Sequence, residues 1–363
     1  MSRAAIAILS TENLFHNLEV IKKASPRSKV MAMIKANAYG HGLRSVALRI
    51  GKNVDSLGVA SIDEALALRK IGVKTQMTLV EGIFEPDELL IASSQQFHVV
   101  FHHESQLEWL EKTALPLPLK AWLKIDTGMG RLGFSLDDAK SAYQRLSKSS
   151  QVIHPIGIMS HLACADQQDH PLNQSQIREF SEFIKNLPGP KSLCNSPALF
   201  QFESHQHDVV RPGLAMYGVS PIQGKSAQDL GLKPVMTLQT RLIAVHTLKK
   251  GSSIGYGGQF VCPEDMPVGV IAMGYGDGYP RTARNGTPVL VNHTKCQVVG
   301  RVSMDMTTID LRTCPSAKIG DPVVLWGNGL PIEEVATHTA HVAYDLLCGI
   351  QPRVKFHWTF FGG

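Results

Sequence analysis

Between Val30 and Val219 the chain repeats one pattern: a short apolar run, a turn, a helical stretch, then the next apolar run. The runs are Val30–Ile34, Leu57–Ala60, Met77–Val80, His98–Phe101, Leu119–Ile125, Ile156–Ser160, Ser192–Cys194 and Val209–Val219, the last including its loop. Strands that alternate with helices pair in parallel, because each helical crossover returns the chain to the same end of the sheet. Eight such units over about 230 residues predict a TIM (β/α)8 barrel rather than an open doubly wound sheet. The helices carry their own start and stop signals. Ser10 is placed to cap a helix whose apolar face is Leu14, Leu18 and Ile21. Ser61-Ile-Asp-Glu64 and Ser135-Leu-Asp-Asp138 read as capping boxes, and Gly72 closes the helix that the first one opens. Ile177, Phe180 and Ile184 form another stripe, ended by Leu187-Pro-Gly-Pro190.

Past Gly231-Leu-Lys-Pro234 the pattern changes. Met236–Val245, Val268–Met273, Pro288–Val291, Gln297–Val302, Thr307–Leu311 and Pro322–Leu325 are β-branched or apolar runs parted by Gly, Pro and Asn turns, with one helical stretch near Ile332–Thr337. The expected organisation is a barrel over residues 1–231 followed by a mostly β domain over 232–363. A chain of 363 residues, 44% of them hydrophobic, is long enough to fill both cores.

Composition narrows the partners. Thirty-six basic residues against 31 acidic ones give +5, spread without a Lys/Arg run, so no nucleic-acid footprint is expected. No apolar stretch approaches the ~20 residues of a bilayer span, and the start, Met1 to Ser10, has one basic residue and too short an apolar core for a secretory signal. Six scattered cysteines show no Cys-x-x-Cys spacing. The expectation is a cytoplasmic protein with reduced thiols and no membrane contact.

Functional side chains of a TIM barrel follow its strands, on the C-terminal face. Lys35-Ala-Asn-Ala-Tyr-Gly-His-Gly42 follows the first run. A lysine there loses part of its hydration and suits imine chemistry, although a lone strand-end lysine more often reaches solvent. Lys124-Ile-Asp-Thr-Gly-Met-Gly-Arg-Leu-Gly133 follows the fifth and contains a literal G-x-G-x-x-G. A dinucleotide fingerprint needs the helix to open at the glycines and an acidic residue about 20 further on. Here the helix signal waits for Ser135 and Gln151–Pro155 has no carboxylate, so a dehydrogenase is disfavoured. His161-Leu-Ala-Cys-Ala-Asp166 and His205-Gln-His-Asp208 hold metal-ligand residue types but not the three or four ligands a zinc site requires, and no metal is expected. Asn195-Ser196 and Arg211-Pro-Gly213 follow the last two strands, where barrels commonly bind phosphate. The β region adds loops at Gly255-Tyr-Gly-Gly258, Gly274-Tyr-Gly-Asp-Gly-Tyr-Pro-Arg281 and Gly300-Arg-Val-Ser-Met-Asp-Met306. Each reads singly as a tight turn. Together they join a strand-end lysine, a phosphate cradle and a tyrosine from another domain, a set that suits pyridoxal 5'-phosphate held as a lysine imine.

These motifs, in this order and over nearly the whole chain, resemble those of the alanine racemases, fold-type III pyridoxal phosphate enzymes. Ile34–Gly42, Asp126–Gly133, His161–Asp166, Arg211–Gly213, Gly255–Gly257, Gly274–Gly278 and Met304-Asp305 carry the resemblance. It implies that Lys35 holds the cofactor and is the base on the D-alanine face, while Tyr256 is the L-specific base, reaching the site of the partner subunit in a head-to-tail homodimer. Arg211 then faces the pyridine nitrogen, and His161 links it to Tyr256. Arg131 and the Met304 backbone hold the substrate carboxylate, and Tyr39, Ser196, Gly213 and Leu214 contact the phosphate. Tyr275 lines the entrance, and Lys124 stands where many members carry a carbamylated lysine. Two positions depart from the pattern. Ser303 replaces a cysteine of some members, and Pro352 aligns with a phosphate-binding tyrosine, with Tyr344 nearby.

The residue types suit the reaction. Racemisation removes a proton from one face of the α-carbon and returns one to the other, so it needs an electron sink and two opposed bases. In bacteria the D-alanine formed is a peptidoglycan precursor. Other fold-type III activities remain as alternatives: broad-specificity, lysine or ornithine racemases, and amino-acid decarboxylases. The broad-specificity enzymes are often exported, and decarboxylases carry other C-terminal motifs. A non-catalytic cofactor-binding relative would look like the barrel alone.

Overall fold

The computed structural model describes residues 3–360, which form two compact units. One, Leu18–Met216 with Pro221–Lys225, is the barrel. Among its described residues eight parallel strands run in chain order: Lys29–Met33, Ser56–Val59, Gln76–Leu79, His98–Phe101, Leu119–Lys124, Val152–Met159, Lys191–Ser192 and Val209–Val210. Each pairs with the next except across the last seam, and the eighth pairs with the first. That seam is drawn together by Asp208 N donating to Lys191 O at 3.1 Å, Arg211 N donating to Cys194 O at 2.9 Å, and an Asn195–Arg211 bridge. The expected alternation therefore stands, with the last strand far shorter than Val209–Val219 because Leu214–Tyr217 turns into a 3-10 helix.

Methionines 31, 33 and 159, with Val80, Val100 and Trp122, fill one buried cluster of the barrel. Gly157 makes this possible, since a Cβ there would lie 2.4 Å from the Trp122 ring. The outer helices begin where capping residues stand. Ser135 Oγ accepts from Asp138 N at 3.1 Å, opening Leu136–Lys148. Ser61 Oγ accepts from Glu64 N, opening Ile62–Lys70. The second half of that expected box is absent: the Glu64 carboxylate accepts from Ala60 N at 2.8 Å and from Ala36 N at 2.9 Å instead of from Ser61.

The other unit comprises the described parts of Met1–Asn17, Tyr217–Ser220 and Ser226–Gly363. Its main sheet orders as Met266–Ile271, Thr307–Asp310, Thr294–Val298, Pro288–Val291, Pro322–Trp326, Met236–Leu248, Ile6–Ser10 and Lys355–Thr359. Met236–Leu248 also pairs with Met266–Ile271, so six of these strands close on themselves. Pro288–Val291 and Thr294–Val298 form a hairpin through Asn292-His293, both at positive φ (47° and 66°), the geometry of the tight turn that matches strand twist. Tyr279 and Trp326 stack at 6.1 Å in the core.

The compact units thus follow a different cut from 1–231 and 232–363. Ile6–Ser10 lies in the β-rich sheet, antiparallel to Met236–Leu248 and parallel to Lys355–Thr359. Its run, Ile-Ala-Ile-Leu, carries no mark of its partners, because pairing over more than 200 residues leaves no local signature.

Candidate active site

Lys35 directly follows Ile34 at the C-terminal end of the first barrel strand, and its Nζ donates to Glu81 Oε1 at 3.1 Å. Residues 36–39 then turn left-handed, with φ of 52°, 54°, 54° and 51°. L-residues disfavour that region by about 1–2 kcal/mol each, so the turn must be held. Ala38 N donates to Ile34 O at 2.8 Å, Gly42 N to Asn37 O at 2.9 Å and Leu43 N to Asn37 Oδ1 at 2.9 Å, beside the Glu64 contact to Ala36. The turn brings the Tyr39 hydroxyl against Gly213, where a Cβ would lie 2.3 Å from it. Ser196 Oγ accepts from Gly213 N at 2.8 Å and Ala215 N at 3.4 Å, so its own proton is available to donate. Tyr39, Ser196, Gly213 and the start of the Leu214 turn therefore meet closely, bringing two hydroxyls beside the amides that Ser196 engages.

Arg211 is buried beneath the barrel mouth. Its guanidinium donates to Ser192 Oγ, to Ser160 O at 2.5 Å, to Leu193 O at 3.3 Å and to His161 Nδ1 at 3.3 Å. Burial brings Arg211 down to about 10, partly opposed by Cys194, and it stays charged at neutral pH. His161 is held well below its ordinary value, first by burial and then by Arg211, Lys124, Arg131 and Lys35, so its ring is neutral. Asn195 Nδ2 lies 3.3 Å from His161 Nε2.

Lys124 closes the fifth strand and is itself buried. Burial, followed by repulsion from Arg211, Arg131 and Lys35, lowers it to about 8, with Glu81 pulling the other way. Arg131 is exposed on the loop that follows. The Asp126 carboxylate organises that loop by accepting from the N–H groups of Gly128, Met129 and Gly130 at 2.9, 2.8 and 2.9 Å. Those amides are thus engaged within the loop, and the helix opens only at Leu136, so the glycine pattern forms no dinucleotide cradle.

The β-rich unit presents its own group. Tyr256 is 65% exposed in the turn Tyr256–Gly258, and a Cβ on the preceding Gly255 would lie 3.2 Å from Arg301 N. Tyr275 N donates to Ser303 O at 3.1 Å and Gly276 N to Met304 O at 2.8 Å, which zips the Tyr275 and Met304 loops together. Arg281 lies over the Tyr275 ring at 5.8 Å. Beneath them Asp277, wholly buried, takes Arg3 Nε and Arg353 Nε at 2.7 Å each and Gly274 N at 2.8 Å. Pro352 is exposed, and its neighbour Arg353 also binds Asp305 at 2.8 Å and Met304 O at 3.2 Å.

Several residues of these groups escape the sequence reading. Glu81 stands two positions past the third strand, where the rule that found Lys35 also points. Ser192, Glu64 and Asp277 act on other residues of the site, and nothing in their local sequence marks that.

Fold and site define a barrel enzyme built around a strand-end lysine and a buried arginine, continued by a β domain. Residues 9–221 match the family model "Alanine racemase, N-terminal domain", and residues 235–358 match "Alanine racemase, C-terminal domain". The chain belongs to the alanine racemase family and is a racemase, its family's reaction being that of alanine. It is 47% identical to an alanine racemase of Shewanella loihica over 96% of this chain and 97% of that one. It is 44% identical to one from Coxiella burnetii, over 98% and 99%. Among solved structures, the biosynthetic alanine racemase of Pseudomonas aeruginosa superposes with a TM-score of 0.96 at 37% identity, covering 99% of this chain and 100% of that chain. The Acinetobacter baumannii alanine racemase gives 0.93, also at 37%, over 98% and 100%.

Proposed function

We propose that this enzyme interconverts L- and D-alanine with pyridoxal 5'-phosphate, using Lys35 and Tyr256 as bases on opposite faces of the substrate. The meeting of the Tyr39 hydroxyl, Ser196 and Gly213 carries the reading, because only a glycine at 213 lets Tyr39 approach so closely, and Ser196 Oγ, which accepts from Gly213 N, keeps its own proton to donate to a phosphate. The bound cofactor supplies an electron sink for the pair left when the α-proton departs. Lys35 takes or returns that proton on the D-alanine face and Tyr256 on the other. Arg131 and the Met304 backbone hold the carboxylate and so keep the α-hydrogen aimed at a base. Arg211 would hold the pyridine nitrogen, and because a guanidinium only donates, it would offer that nitrogen a hydrogen bond without giving up a proton. Neutral His161 links Arg211 toward Tyr256, and Tyr275 lines the entrance.

Tyr256 and Met304 are 65% and 54% exposed, which supports a reading in which they serve a second subunit. The proposed assembly is a head-to-tail homodimer in which each site takes Lys35 from one chain and Tyr256 with Met304 from the other. The barrel is then the cofactor-binding domain, and the C-terminal domain supplies the second base. The reading extends to a cytoplasmic enzyme that provides D-alanine for peptidoglycan. No helix among the described residues is long and apolar enough to cross a membrane, and the six cysteines are unbridged.

Lys124 is proposed to be carbamylated and to position Arg131. Only a neutral amine attacks CO2, and Lys124 yields one at unusually low pH because it is lowered to about 8. The carbamate would replace one more cation beside Arg211 and Arg131 with an anion. Native mass spectrometry in bicarbonate is expected to find one added CO2 per chain, rising as the pH passes about 8 and missing from Lys124→Arg. An unchanged mass across that range would end this assignment.

The overall reading is tested by incubating the protein with L-alanine and pyridoxal phosphate and separating the enantiomers. D-alanine should accumulate toward an equal mixture. A protein that takes up the cofactor and leaves alanine untouched would redirect the assignment to lysine, ornithine or serine.

A further inference from the structure

We propose that Glu64 is a positioning residue for Lys35, acting through the left-handed turn that follows it; this rests on Lys35 being the cofactor lysine. Glu64 belongs to the helix after the second barrel strand, and its ordinary role at that place would be to cap its own helix. The cap is made without it, by Ser61 Oγ. The Glu64 carboxylate instead spans two loops of the barrel mouth. Oε1 accepts from Ala36 N at 2.9 Å, the peptide bond immediately after Lys35, and Oε2 accepts from Ala60 N at 2.8 Å, one residue past the second strand.

The contact matters because of what Ala36 begins. Ala36, Asn37, Ala38 and Tyr39 all hold φ near +50°, a conformation that L-residues leave readily unless it is pinned. The Ile34 and Asn37 acceptors secure the middle and end of the turn, whereas Glu64 secures its first N–H. Lys35 is attached to that first peptide, and Tyr39, whose hydroxyl reaches Gly213, closes the run. Releasing Ala36 therefore frees the amine that must meet the cofactor aldehyde and the hydroxyl that meets its phosphate, together. A carboxylate is suited to this because both oxygens accept, while a carboxamide has one acceptor and turns a donor against the second N–H.

The test compares wild type, Glu64→Gln and Ser61→Ala as full-length apoprotein given pyridoxal phosphate. Stopped-flow absorbance follows capture by Lys35, and amide exchange follows the peptide containing Ala36. In Glu64→Gln, capture is expected to slow about tenfold, the scale of one charge-assisted hydrogen bond, with faster exchange at Ala36. Ser61→Ala removes the helix cap and spares the clamp, so it should lower Tm while capture keeps its wild-type rate. Equal capture by wild type and Glu64→Gln would overturn the role, as would equal slowing in Ser61→Ala, which would mark a general loss of structure. Wild-type protein that captures no cofactor would overturn the reading of Lys35 and this role with it.

Discussion

Lys35→Ala protein is expected to lose alanine racemisation by about four orders of magnitude, the upper range for removing a positioned proton-transfer group, because the same side chain also holds the cofactor. Tyr256→Phe should fall by about 10²–10⁴-fold for a narrower reason, losing one face only. The two differ in heavy water. Tyr256→Phe should still exchange the α-hydrogen of D-alanine through Lys35 without inverting it, whereas Lys35→Ala should do neither. Mixing the two inactive proteins gives the assembly its own reading. If each site combines Lys35 of one chain with Tyr256 of another, a hybrid dimer has one intact site and one doubly damaged site. Random exchange then restores about a quarter of wild-type activity. Confirmed exchange without recovery would show that each chain builds its site alone.

The second large effect falls on stability. Asp277→Ala is expected to cost about 3 kcal/mol in denaturant unfolding, the low end for breaking a buried ion pair, since Arg3 and Arg353 are 26% and 37% exposed and keep part of their hydration. Burial alone would raise the Asp277 carboxyl, but Arg3, the Gly274 amide and Arg353 outweigh it and hold it below the usual range. A carboxyl depressed in the folded state contributes its stability above the unfolded pKa, ~3.9, and loses it as pH falls through the lower folded value. The gap between wild type and Asp277→Ala should therefore be constant near neutrality and close only in acid below that range. A gap under 1 kcal/mol at neutral pH would show the network to be dispensable.

The barrel was legible because each of its strands is buried by its own neighbours and bounded by its own turns. His98–Phe101 in the barrel, like Pro288–Val291 in the β-rich unit, begins and ends where the apolar run does. The edges that moved did so where backbone geometry overrides hydrophobicity, as in the 3-10 turn at Leu214. The lysine, the arginine and the glycine of the barrel mouth were readable from their places after strands, and the structure gathers Lys35, Tyr39, Lys124, His161, Ser196, Arg211 and Gly213 on that one mouth. Glu64 looked like an ordinary capping residue, because the sequence does not reveal which N–H a carboxylate will choose. Asp277 sat in a glycine-rich turn with nothing to indicate Arg3 or Arg353, which are 274 and 76 residues away.

The placement of Ile6–Ser10 has a consequence for the order in which this protein is made. The strand is synthesised before the barrel, yet its partners, Met236–Leu248 and Lys355–Thr359, follow the whole barrel. During that interval a hydrophobic segment with unsatisfied backbone groups must be kept from the wrong sheet edges. A nascent chain arrested before Lys355 would hold every barrel strand while the β-sheet still lacked the edge strand that pairs with Ile6–Ser10.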